Sequence, residues 1–119
     1  MNPFRYEFVE LKSGNIPFIN FLNSLEENEI AEIRASIDEL IDWLNKNKTP
    51  SQKLSKHLRN GIFELKVRHT NKITRSLYFY FEERMIIFTN GFIKKTNKTP
   101  IEEIEKAIRY KNLYKSEKK

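Results

Sequence analysis

The sequence has no cysteine, three glycines, four prolines and one tryptophan in 119 residues. Without cysteine there is neither a disulfide framework nor a thiolate metal site, and two histidines, His57 and His69, cannot build a zinc site on their own. A function without metal or cofactor is therefore expected. No stretch approaches the roughly 18 uncharged apolar residues that a membrane span needs, so a membrane is not an expected partner. Met1 to Arg5 lacks the basic and apolar regions of a signal peptide, which makes a cytoplasmic location the expectation. Internal repeats and low-complexity linkers are absent too, and the length suits a single domain over residues 1–119.

What the sequence does have is aromatic weight and an uneven charge. Nine Phe and five Tyr within a 39% apolar composition argue for a packed globule rather than a disordered tail. The formal net charge is +6, yet residues 1–50 hold 5 basic and 9 acidic residues (net −4), whereas residues 51–119 hold 17 basic and 7 acidic ones (net +10). Clustered Lys and Arg bind polyanions by releasing the counterions condensed on phosphates, so the second half is where a polyanion would dock.

Phe4, Tyr6 and Phe8 alternate with Arg5 and Glu7, a period-two pattern that predicts a half-buried strand, broken at Ser13, Gly14 and Asn15. From Pro17, the spacing of Phe18, Phe21, Leu22 and Leu25 predicts a short helix. A longer helix from about Glu26 to about Lys46 follows from Ile30, Ile33, Ile37, Leu40, Ile41 and Leu44, with glutamates crowding the end that the helix dipole makes positive. Residues 51–60 read as a polar, basic connection anchored by Leu54 and Leu58. Three runs rich in β-branched and aromatic residues, Ile62 to Arg68, Ile73 to Phe81 and Met85 to Phe92, are joined by turns short enough for an antiparallel meander. Thr99, Pro100 and Glu102 then combine an N-cap hydroxyl, proline at the first helical position and an acid three residues after the cap. Ile101, Ile104 and Ile108 give the last helix an apolar stripe, and residues 115–119 read as a frayed tail.

The expected class is therefore α+β, with a small, mainly antiparallel sheet of about four strands and two or three helices on one face. Along residues 62–68, Phe63, Leu65 and Val67 face one way, and Glu64, Lys66 and Arg68 the other. Arg75 is an unexpected charge in an otherwise apolar run; a bulge, an open concave face or a paired carboxylate would accommodate it. Thr89 to Pro100, TNGFIKKTNKTP, gathers Lys94, Lys95 and Lys98 between the last strand and the helix start, and Gly91 permits a close backbone approach or a strand bend.

IFELKVR at residues 62–68, Arg75 within ITRSLYFYF, and TNGFIKKTNKTPIEEIEKA at residues 89–107 resemble the RelE/ParE toxin superfamily, in particular its HigB-like, phage-derived branch. The resemblance covers about residues 50–110. Many relatives carry His before the Gly-Phe pair, where this chain has Asn90, a side chain that cannot take up a proton as His does. The resemblance implies a RelE-like fold. It also implies a metal-independent endoribonuclease that cuts messenger RNA, usually on the translating ribosome, and that is neutralised by a helix-turn-helix (HigA-like) antitoxin.

In such enzymes the ribose 2′-OH attacks the adjacent phosphate. The reaction needs a base for the hydroxyl proton, cations for the phosphorane and an acid for the leaving 5′-oxygen. By position, the catalytic set implied is Lys66, Arg68, Arg75, Lys94 and Lys95, with Lys66 first choice as base because crowded cations ease its deprotonation. Arg68 and Arg75, permanently charged, suit phosphate stabilisation. Lys98, Tyr110 and His57 are the implied RNA-binding residues, with Tyr114 a second ring able to stack on a base; His69 reads as a turn residue. A ParE-like gyrase poison and a non-catalytic RNA-binding module are the alternatives, since fold alone does not separate them.

Overall fold

Residues 2–118 are described by a computed structural model, in which the alternating runs pair into one five-stranded sheet of order β1-β5-β4-β3-β2. The elements follow as β1 (Arg5–Phe8), α1 (Pro17–Asn23), α2 (Glu27–Asn45), β2 (Ser55–Arg59), β3 (Ile62–Arg68), β4 (Ile73–Phe81), β5 (Met85–Ile93) and α3 (Ile101–Glu117). β2 to β5 form the antiparallel meander, and β1 closes the far edge parallel to β5, with Arg5 opposite Met85 and Phe8 opposite Phe88. The α+β class stands as expected.

Three features differ from the sequence-based expectation. Residues 55–59, read as a connection, are a fifth strand that turns into β3 through Asn60 and Gly61, both at positive φ (54° and 77°). The last helix continues to Glu117, through residues assigned to a frayed tail, because Tyr114 is buried against the sheet and anchors its final turns; Lys119 lies outside the described residues. The helices cover both sheet faces instead of one. Phe18, Ile33, Ile37 and Leu40 of α1 and α2 pack on Leu65, Val67, Tyr78, Ile86 and Phe88, whereas Ala107 and Tyr114 of α3 pack on Ile62, Leu77, Phe79 and Ile87. The physical reason is that β4 and β5 are apolar on both faces. The face carrying Glu64, Lys66 and Arg68 thus also presents Ile62, Leu77 and Ile87, which must be covered.

The β4–β5 register slips between Ser76–Gly91 and Tyr78–Phe88, so that Thr89 and Asn90 both stand opposite Leu77. This bulge lies two residues from Arg75 along β4. It bends the sheet where α3 ends its cover and the charged half of the face begins.

Candidate RNA-binding cleft

At the open end of the α3 face, register sets Lys66 directly opposite Arg75 and Arg68 opposite Ile73. Lys94 follows β5, and its backbone N–H donates to the Ile73 carbonyl at 2.8 Å, which draws the basic loop against the end of β4. The result is a cleft of about 480 Å³ lined by Arg68, His69, Lys72, Lys94 and Lys95 together with Thr70, Asn71, Thr96 and Asn97. None of Lys66, Arg68, Lys94 and Lys95 forms an ion pair among the described residues. Partial burial, followed by the nearby charges of Lys94, Arg68 and Arg75, pushes the Lys66 ammonium below the usual lysine range.

The wall of the cleft is fixed by α2. Lys72 Nζ stands 2.9 Å from Glu29 Oε2, and the His69 ring spans Glu32 Oε1 (2.7 Å) and Thr74 Oγ1 (2.9 Å) with its side chain 1% exposed. His69 is thus a turn residue, as expected, and a tie between two elements as well.

Arg75 is a cation of a different kind. Its side chain is 3% exposed and committed: Nη1 donates to Glu64 Oε1 (3.1 Å) and to Thr99 Oγ1 (2.7 Å), and Nη2 to the Asn97 carbonyl (3.2 Å). Thr99 Oγ1 donates in turn to Glu64 Oε1 at 2.7 Å. The expected cap on α3 is therefore not made: the helix begins after Pro100 without a side-chain cap bond, because the hydroxyl is taken by the buried ion pair. This corrects the placement of Arg75 on an open phosphate. The guanidinium holds the loop.

The remaining residues separate from this cluster. His57 stands opposite Phe63 on the edge strand β2, its ring 4.9 Å from the Phe63 ring and its Nε2 accepting the Gly61 N–H (3.3 Å), which puts it on the sheet face away from Lys66. Tyr110 is half-buried in the α3–sheet core, and Tyr114 is buried there, donating to Glu7 Oε1 at 2.9 Å and meeting Phe79 and Phe81 edge-on. Tyr114 is thus a packing residue, whereas Tyr110 packs with part of its surface and keeps the rest exposed. Lys98 is exposed on the loop outside the cleft lining. Asn90 is buried and bridges β5 to α3, donating from Nδ2 to the carbonyl (3.3 Å) and Oε1 (3.0 Å) of Glu103. Sequence reasoning missed Glu64 and Thr99 as site residues. The signal was Arg75 itself, a buried charge that must have a carboxylate on a neighbouring strand.

No three His, Asp or Glu side chains gather as ion ligands among the described residues, and none of the helices described is long and apolar enough to cross a membrane. No curated protein is similar enough to match the chain. The profile of the family described as Phage derived protein Gp49-like (DUF891), a group of RelE/toxin-like proteins, matches residues 20–112 and so takes in both walls of the cleft, Glu64, Arg75 and Thr99, and most of α3. By that match the chain belongs to the Gp49-like phage-derived family.

Proposed function

We propose that this protein is the HigB-like toxin of a toxin–antitoxin pair and a metal-independent endoribonuclease acting on messenger RNA at the translating ribosome. The observation that carries the proposal is a cluster of four cations unpaired among the described residues: Arg68, Lys94 and Lys95 line the cleft, and Lys66, on β3 opposite Arg75, is held below the ordinary lysine range by partial burial and by the charges of Lys94, Arg68 and Arg75. Neutral Lys66 accepts the proton of a ribose 2′-OH as that oxygen attacks the adjacent phosphorus. Arg68 stabilises the charge that builds on the phosphorane oxygens. An ammonium of Lys94 or Lys95 protonates the departing 5′-oxygen, leaving a 2′,3′-cyclic phosphate and a 5′-hydroxyl. Asn90, tied to Glu103, takes no part in proton transfer. The partner expected from the resemblance is a helix-turn-helix antitoxin; the acids of α2 that reach the cleft, Glu29 and Glu32, pair with Lys72 and His69 and leave Arg68, Lys94 and Lys95 unpaired among the described residues.

The test is primer extension on a messenger RNA translated with the purified protein, backed by single-turnover cleavage across a pH series. Lys66→Ala is expected to lower the rate by about 10²-fold or more. In the wild type, activity rises with pH through a midpoint below the ordinary lysine range, because only the neutral amine accepts the proton; Lys66→Arg, permanently charged, loses that limb. Unchanged cleavage in Lys66→Ala removes Lys66 as base. Intact transcripts, with DNA synthesis falling before protein synthesis, would turn the assignment to gyrase poisoning.

A further inference from the structure

Glu64, Arg75 and Thr99 come from β3, from β4 and from the loop that follows β5, yet they share a single set of hydrogen bonds. The loop carries Lys94, Lys95 and Lys98, and among the described residues the side-chain bonds that reach it from the sheet are those of Arg75 and Glu64 to Asn97 and Thr99. Glu64 is 2% exposed and its other oxygen lies 4.0 Å from Lys56 Nζ, so the carboxylate is turned inward and serves the loop from below. Arg75 Nε is buried and has no acceptor among the described residues, which leaves the guanidinium held through its two outer nitrogens, by Glu64 on β3 and by Thr99 and Asn97 on the loop.

From this arrangement we infer that Glu64, Arg75 and Thr99 form a latch that positions the lysine loop over the cleft, so that Lys94 and Lys95 meet the backbone of a single-stranded RNA at fixed spacing. The inference rests on reading the cleft as the RNA site. Arg75 and Thr99 are positioning residues here, acting through Lys94 and Lys95, and neither contacts phosphate. A latch differs from a phosphate contact in one measurable respect. Losing a phosphate-pairing cation reduces the number of counterions released, hence the slope of log affinity against log salt, whereas losing the latch misplaces cations that are all still present.

Thr99→Val removes both hydroxyl bonds and alters no charge. Against a single-stranded RNA oligonucleotide methylated at the 2′-oxygens, so that it cannot be cut, Thr99→Val is expected to weaken binding roughly 5- to 10-fold with the salt slope unchanged, while Lys94→Ala lowers the slope by about 0.7. Amide exchange over residues 94–99 should accelerate at least about tenfold in Thr99→Val, with β3 and β4 amides as slow as in the wild type. Thr99→Ser, which keeps the hydroxyl, should restore both properties to within about twofold. Wild-type exchange rates in the loop of Thr99→Val would overturn the latch. Absence of RNA binding by the wild type would overturn the RNA reading instead, and the exchange comparison still decides whether the loop is held.

Discussion

Thr99 shows how a residue's local preference yields to a buried partner. Leaving α3 uncapped costs about 1 kcal/mol, whereas a hydrogen bond to a charged group contributes about 1.5–3 kcal/mol and spares Glu64 and Arg75 an unmet buried valence. The hydroxyl therefore goes to the ion pair. Gly91 is constrained by space alone: a Cβ there would overlap the ring of Phe21, which packs α1 onto β5. Gly91→Ala is expected to destabilise the fold by about 1–3 kcal/mol through overpacking, measured by urea unfolding. Shortening the ring in a Phe21→Leu background should recover part of that loss, and a strictly additive double mutant would show that the two positions do not meet.

Among the elements, α2 has the most to reveal about pH. Glu29 accepts the Glu26 N–H at 3.0 Å and pairs with Lys72, and these contacts, the backbone bond first, hold its carboxyl below the usual range. A carboxyl depressed in the folded state adds stability at pH values above its unfolded pKa, and that stability fades as pH falls through the folded value. Glu29→Gln should therefore lower the neutral-pH melting temperature and flatten its fall on acidification; a parallel acid limb would remove Glu29 from the account. The helices and the three central strands were legible because their apolar periods are long: α2 was placed within a residue at each end, and β3 and β4 at their observed bounds. β2 was not, because an edge strand reading SKHLR has little apolar side to alternate. Asn60-Gly61, a pair suited to a two-residue hairpin, was the available signal. The cations of the cleft were legible as a cluster of charge. That Arg75 would need a carboxylate was legible from a charge in an apolar run; that the carboxylate is Glu64 was not, because it depends on the β3–β4 register that sets the two side chains diagonally on one face.

Over the whole molecule, charge and topology divide the same way. The first 50 residues, net −4, supply α1 and α2 on one sheet face, whereas Arg68, Lys94 and Lys95 line the cleft at the open end of the other, so on the proposed function an approaching polyanion would be drawn toward the cleft before contact. The parallel pairing of β1 with β5 has a consequence in time. Arg5 meets Met85 across most of the chain length, so this contact carries the largest loop-closure cost in the sheet, while the β3–β4–β5 meander closes through turns of a few residues. The meander, cleft walls included, is expected to organise first and β1 to dock afterwards. Chevron analysis should then give Phe8→Ala a φ-value near zero, its destabilisation appearing as faster unfolding, and Phe79→Ala a value of about 0.5 or more; equal values at the two positions would refute that order. On this route the strand that leaves the ribosome first is the last to find its place, and the basic cleft is assembled before the sheet edge beside it is closed.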